Sequence, residues 1–115
     1  MTYIDANMIA VPSDKKEEYR ENCKAFADWV MKEGALQVID AWGDDVPVGE
    51  INCMNSAVLK KDDETASIGF IVWPDKATRD AAWGKMMSPD SDFHPDMVGD
   101  GKRMIFGGFE TLHQS

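Results

Sequence analysis

"TASIGFIVWPDKATRDAAWGKMM", Thr65 to Met87, is where the residue pattern changes from strand to helix, and that change decides the fold. TASIGFIVWP reads as a strand stopped by Pro74, which has no amide proton to give to a ladder. Asp75 then caps a helix that runs to about Met87, with Ala77, Ala81, Gly84 and Met87 as its narrow small-residue face. Upstream, "ALQVIDAW" (Ala35 to Trp42) reads as a second strand, closed by the acidic turn "GDDVPVGE". "MNSAVLKK" is expected as a third strand, joined through a tight "DDE" turn to the fourth. Downstream, a polar loop, "SPDSDFHPDMVGDG", leads to a last short strand in "KRMIFGGFETL".

The amino-terminal segment repeats the logic. Tyr3 to Val11 alternates, with Tyr3, Asp5, Asn7 and Ile9 on one face and Ile4, Ala6, Met8 and Ala10 on the other. Pro12 ends it. Ser13 or Asp14 is placed to cap the following helix, Asp14 and Glu17 having capping-box spacing. Tyr19, Cys23, Phe26, Val30 and Met31 form one apolar stripe, and Gly34 is the natural stop. The expected order is β-α-β-β-β-α-β, whose core is a split β-α-β: an α+β domain with an antiparallel sheet and two helices on one face. Residues 1–115 make one domain, long enough for a core without staples.

Two helices cover only one side of such a sheet. The uncovered face is expected to carry Tyr3, Ile9, Val38, Trp42, Ile68, Phe70, Val72 and Phe106 with Asp5, Asn7, Asp40 and Glu110. That mixture is too apolar for water and calls for a second copy packed face to face, a homodimer.

Composition narrows the partners. With 21 acidic against 12 basic residues the chain carries a net charge of −9, which repels phosphate backbones and anionic membranes. No apolar run is long enough for a membrane span, and the opening residues have no basic leader. Neither nucleic acid nor membrane is expected as a partner. Cys23 and Cys53 are too few and too far apart for a disulfide framework or a metal pair, so a reduced, cytoplasmic setting is expected.

"MTYIDANMIAVP", "CKAFADWVMKEGA", "AWGDDVP", "FIVWPDKATRDAAW" and "GKRMIFGGFE", in that order along nearly the whole chain, resemble the bacterial domain-of-unknown-function family 1428, the YbaA-like proteins. The resemblance implies a ferredoxin-like fold of the dimeric α/β-barrel superfamily, in which two sheets pack face to face. It implies no activity. The wider superfamily includes cofactor-independent monooxygenases and small-ring isomerases, a link of fold alone.

The residues themselves exclude several chemistries. A Walker loop needs glycine five residues before the Gly101–Lys102 pair and Ser or Thr after it; Asp96 and Arg103 stand there instead. "GFIVW", Gly69 to Trp73, imitates the end of the RNA-recognition fingerprint, but Ala66 and Ile68 occupy its basic and first aromatic positions. His94 and His113 have no partner at zinc spacing, and no Ser-His-Asp order can be drawn. No cofactor and no metal follow. What remains is a small-molecule pocket near the dimer seam, enzyme-like by superfamily analogy, or else a non-catalytic ligand-sensing or protein-interaction module. Asp5, Asn7 and Glu110 are the candidate catalytic residues. Trp42, Asp44, Asp45, Phe70 and Phe106 are the candidate ligand-binding residues. Asp44 and Asp45 suit hydrogen bonding better than ion binding, since no further oxygen ligands stand at a recognisable spacing.

Overall fold

A computed structural model describes every residue of the chain except 92 and 94–96. The elements are β1 (Tyr3–Pro12), a 3-10 turn (Ser13–Lys15), α1 (Lys16–Lys32), β2 (Gln37–Trp42), α2 (Met54–Ala57), β3 (Glu64–Trp73), α3 (Lys76–Met87) and β4 (Ile105–Glu110). The sheet order is β2-β3-β1-β4 and every pairing is antiparallel. The two ten-residue strands, β1 and β3, lie in the centre and pair along their full length, from Tyr3 opposite Trp73 to Pro12 opposite Glu64. Gly34, at φ +111°, turns the chain from α1 towards β2, in a conformation that glycine adopts without strain.

Register sorts the side chains. Tyr3, Asp5, Asn7 and Ile9 stand opposite Trp73, Ile71, Gly69 and Ser67, which in turn face Val38, Asp40 and Trp42 from β2. Val30 of α1 and Ala82 of α3 pack on this face with Ile71, Trp73 and Ala35, flanked by Tyr3, Phe26, Trp29, Val38 and Trp83. Phe93 closes the edge of that core, stacked on Trp29 at 5.3 Å. Burying these rings stabilises the domain by roughly 1.5–3 kcal/mol per large apolar side chain.

This corrects the expected open face. Tyr3, Ile9, Val38, Trp42 and Phe106, with Asp5, Asn7, Asp40 and Glu110, belong to the helix-covered side; of the residues named, only Ile68, Phe70 and Val72 lie on the other. Both sides of β1 and β3 are apolar, so alternation alone does not say which side the helices take. Trp73, fully buried, and Ile71 settle it. The uncovered face instead carries Ile4, Ala6, Met8, Ile39, Ile68, Phe70, Val72, Ile105 and Phe109, more apolar than the expected set. Phe70, Ile39, Ile105 and Phe109 are exposed.

Three local expectations also change. "MNSAVLKK" is no strand: Met54–Ala57 is a helical turn, capped reciprocally by Cys53 and Ser56. Val58 just after it is fully buried against Ala10 and Ala66, closing one end of the otherwise open face. Tertiary burial of Val58 outweighs the β-propensity of "AVL". Helix α1 begins after the 3-10 turn with no side-chain cap, so neither Ser13 nor Asp14 performs that role. In α3, Ala77, Ala81 and Gly84 face solvent, whereas Ala82 is buried and Arg79, Trp83 and Met86 are half-buried. The Asp75 cap is as expected, its carboxylate accepting from the Thr78 amide at 2.7 Å.

Candidate functional site

Between the sheet and its two long helices lies a cavity of about 470 Å³. Its floor is the helix-side face of the sheet: Asp5, Asn7 and Ile9 of β1, Asp40 of β2, Ile71 of β3 and Phe106 of β4. α1 contributes Tyr19, Asn22, Cys23 and Phe26, which helical periodicity brings onto one side. α3 contributes Arg79, Trp83, Met86 and Met87, and the segment before β4 adds Met97 and Met104. The walls are thus mostly rings and thioethers, with a few polar groups at the floor.

Asp5 is the most heavily bonded of these groups. Its Oδ2 accepts from the indole nitrogens of Trp73 at 2.9 Å and Trp83 at 2.8 Å. Its Oδ1 accepts from Arg79 Nη2 at 2.9 Å and Nε at 3.1 Å. The carboxylate is buried and ion-paired, and it locks β1, β3 and α3 together. Arg79 reaches it across Gly108, where a Cβ would stand 2.9 Å from the guanidinium and 2.5 Å from the Tyr3 hydroxyl. With both oxygens engaged by several donors, Asp5 is built to position its neighbours.

A second polar group spans the middle of the floor. Asn7 and Asp40 flank Gly69, one on each neighbouring strand. A Cβ at Gly69 would lie 2.7 Å from Asp40 Oδ1 and 2.9 Å from Asn7 Nδ2, so the glycine lets both side chains lean over the same point. Desolvation raises the Asp40 pKa above the usual carboxylate range, although a hydrogen bond from Cys23 opposes the shift. Burial and the Asp40 charge push the Cys23 thiol up to about 11, which leaves it protonated and poorly nucleophilic. Tyr19, beside Ser67 and Cys23, is likewise raised, chiefly by burial. Asp40, Cys23 and Tyr19 also line a smaller adjoining cavity of about 200 Å³, walled by Trp42, Lys16 and Arg20. Among the described residues no three His, Cys, Asp or Glu side chains converge as a metal site.

The model of a family described as "Protein of unknown function (DUF1428)" matches residues 2–108. The chain belongs to this family. The uncharacterized protein YbaA of Escherichia coli (strain K12) is 41% identical over 114 residues, covering 97% of each chain. The YbaA protein of Shigella flexneri matches to the same extent. Among solved structures, the de novo designed protein Foldit4 covers 96% of this chain and 99% of its own, at 13% identity and a TM-score of 0.49, too low a likeness to carry an argument.

In this DUF1428 chain the residues singled out by sequence fall in five places. Asp5, Asn7 and Phe106 line the large cavity, and Trp42 lines the smaller one. Glu110 shares their side of the sheet but is exposed at the end of β4, opposite Tyr3. Asp44 and Asp45 are exposed in the bend after β2. Phe70 points to the uncovered face, away from both cavities. His94 lies outside the described residues. Sequence reasoning passed over Arg79, Cys23 and Tyr19 as site residues, and it grouped Asp40 with the polar positions of the expected uncovered face without naming it a site residue. A signal existed: Arg79, Ala82, Trp83 and Met86 follow i, i+3, i+4, i+7, a better inward stripe than the small residues of the same helix.

Proposed function

We propose that this chain is a small-molecule-binding homodimer of ferredoxin-like fold. Two uncovered sheet faces meet as a dimeric α/β barrel, and each protomer holds a ligand in its own cavity between sheet and helices. The observation that carries the reading is the cavity itself. Its volume of about 470 Å³ falls in the range of ligand sites, roughly 300–1,000 Å³, and its mostly apolar wall meets the convergent Asn7–Asp40 pair at the floor. The dimer is supported by the size of the apolar face. Four strands about 4.8 Å apart and about 20–33 Å long cover roughly 500 Å² per protomer, so two facing copies reach the roughly 1,000 Å² that a specific interface needs. No helix among the described residues is long and apolar enough to cross a membrane, and both cysteines are free, which suits the cytoplasm.

Within this reading Asn7 and Asp40 make the polar contacts, Phe106 is a wall, and Asp5 holds Arg79 and the two indoles in place. Trp42 lines the side cavity. Asp44, Asp45 and Glu110 are rim groups at most. A monooxygenase- or isomerase-like reaction would use Asp40 as the acid–base group, since its environment raises its pKa. A specific pair of observations favours the non-catalytic, ligand-sensing alternative: the Cys23 thiol is held protonated and the Asp5 oxygens are already occupied. A thermal-shift screen against a metabolite library tests the binding reading. Hits should raise the Tm of the native protein and lose that effect in Met86→Trp, which narrows the cavity. Hits indifferent to Met86→Trp, or no hits at all, would refute it.

A further inference from the structure

The floor of the cavity also constrains the charge of its occupant. Among the described residues three charged side chains line it, Asp5, Arg79 and Asp40. Asp5 and Arg79 cancel through an ion pair at 2.9 Å, and a further Arg79 nitrogen is turned outward to Asp80 at 3.0 Å. Asp40 has no such partner among the described residues. Its hydrogen-bonding neighbour is the neutral Cys23 thiol. The cations nearest to it along the smaller cavity are engaged elsewhere: Lys16 lies 5.8 Å over the Trp42 ring, and Arg20 is 3.4 Å from Glu17. Among the described residues one carboxylate is therefore left without a countercharge, inside a wall that includes the rings of Tyr19, Phe26, Trp83 and Phe106. Aromatic faces attract cations and repel anions. The Asn7 amide, an acceptor through its oxygen, converges with Asp40 over Gly69. An anionic ligand would meet a guanidinium already engaged by Asp5 and Asp80, in a chain of net charge −9.

We propose that the cavity takes a ligand with a single positive charge on an apolar body, a protonated hydrophobic amine. Its N–H groups are bound by the Asp40 carboxylate and the Asn7 amide oxygen over Gly69, and its apolar part lies among Phe26, Trp83 and Phe106. The proposal rests on the reading of the cavity as a ligand site and adds the ligand's charge and shape. Such a cation supplies the countercharge that the described residues do not give Asp40.

Calorimetric titration of the full chain at neutral pH with three probes of one shape tests it: naphthylmethylamine, naphthylmethanol and naphthoate. The amine is expected to bind at least about tenfold more tightly than the alcohol, the size of one charge-assisted hydrogen bond, with naphthoate weakest. In Asp40→Asn the preference for the amine should shrink to about twofold or less. If the alcohol or naphthoate matches the amine on the native protein, or if Asp40→Asn keeps the preference, the charge assignment is wrong. The cavity reading survives that result as long as Met86→Trp abolishes binding of the alcohol. If none of the three probes binds, both readings fall together.

Discussion

Replacing Asp5 by asparagine removes the charge that joins three elements while keeping the shape of the side chain. Asparagine offers one acceptor oxygen where aspartate offers two. Turned towards Trp73 and Trp83, that oxygen leaves the amide group facing the Arg79 donors; turned towards Arg79, it leaves both indole N–H groups without an acceptor. Removing one partner of a buried ion pair costs about 3–5 kcal/mol. The lower end applies here, because the Arg79 side chain keeps 23% of its surface exposed and retains Asp80. Unfolding entropy of about 2.1 cal/mol/K per residue converts about 3 kcal/mol into a Tm drop of roughly 12 °C for a chain of 115 residues. Glu110→Gln, at an exposed strand end, should stay within about 2 °C, as neutral surface changes do. Differential scanning calorimetry at one fixed protein concentration measures both, the concentration being held because any self-association couples to stability. If Asp5→Asn melts within about 3 °C of the native protein, the clamp does not hold β1, β3 and α3 together, and the structural role assigned to Asp5 is wrong.

Phe70→Glu puts a charge in the middle of the uncovered face; light scattering should fall from twice the mass of one chain to a single chain, and a native protein already monomeric would refute the dimer. Gly69→Ala places a methyl 2.7 Å from Asp40 Oδ1, so it should leave the fold intact, since both crowded groups are flexible side-chain ends, yet weaken any cavity ligand by about tenfold in titration. Glu64 is held by Arg103 at about 2, below the ordinary 4.5, so the stability it contributes is full above about 4.5 and is lost as the pH falls towards 2. Melting curves of Glu64→Gln should therefore show less loss of Tm than the native protein across that window. Iodoacetamide at about pH 8 should modify Cys53, whose pKa is lowered by Ser56, well before Cys23, held at about 11; equal rates measured by mass spectrometry would contradict the burial of Cys23 beside Asp40.

Local chemistry was legible in the residues alone. Pro74 and the Asp75 cap, Gly34, the stripe from Tyr19 to Val30, and the strand alternation from Tyr3 onwards each depend on neighbours within a few positions, and each stands where the pattern put it. Family membership was likewise readable, from motif order along nearly the whole chain. Three of the failures share one cause. "MNSAVLKK" became a helical turn because Val58 found a buried seat on the paired residues Ala10 and Ala66, one of them in β1, far away along the chain. Asp5 and Asn7 were paired correctly as same-face neighbours, but which face the helices cover was set by Trp73 and Ile71, and β1 and β3 are apolar on both sides. Asp40 became a cavity carboxylate beside Asn7 only because antiparallel register sets it opposite Gly69, with Asn7 on that glycine's other side. Strand alternation and the Asp75 cap act over one strand or one turn, so sequence determines them; the choice of covered face and the meeting of Asp40 with Asn7 are contacts between segments, and only packing of the whole chain fixes those.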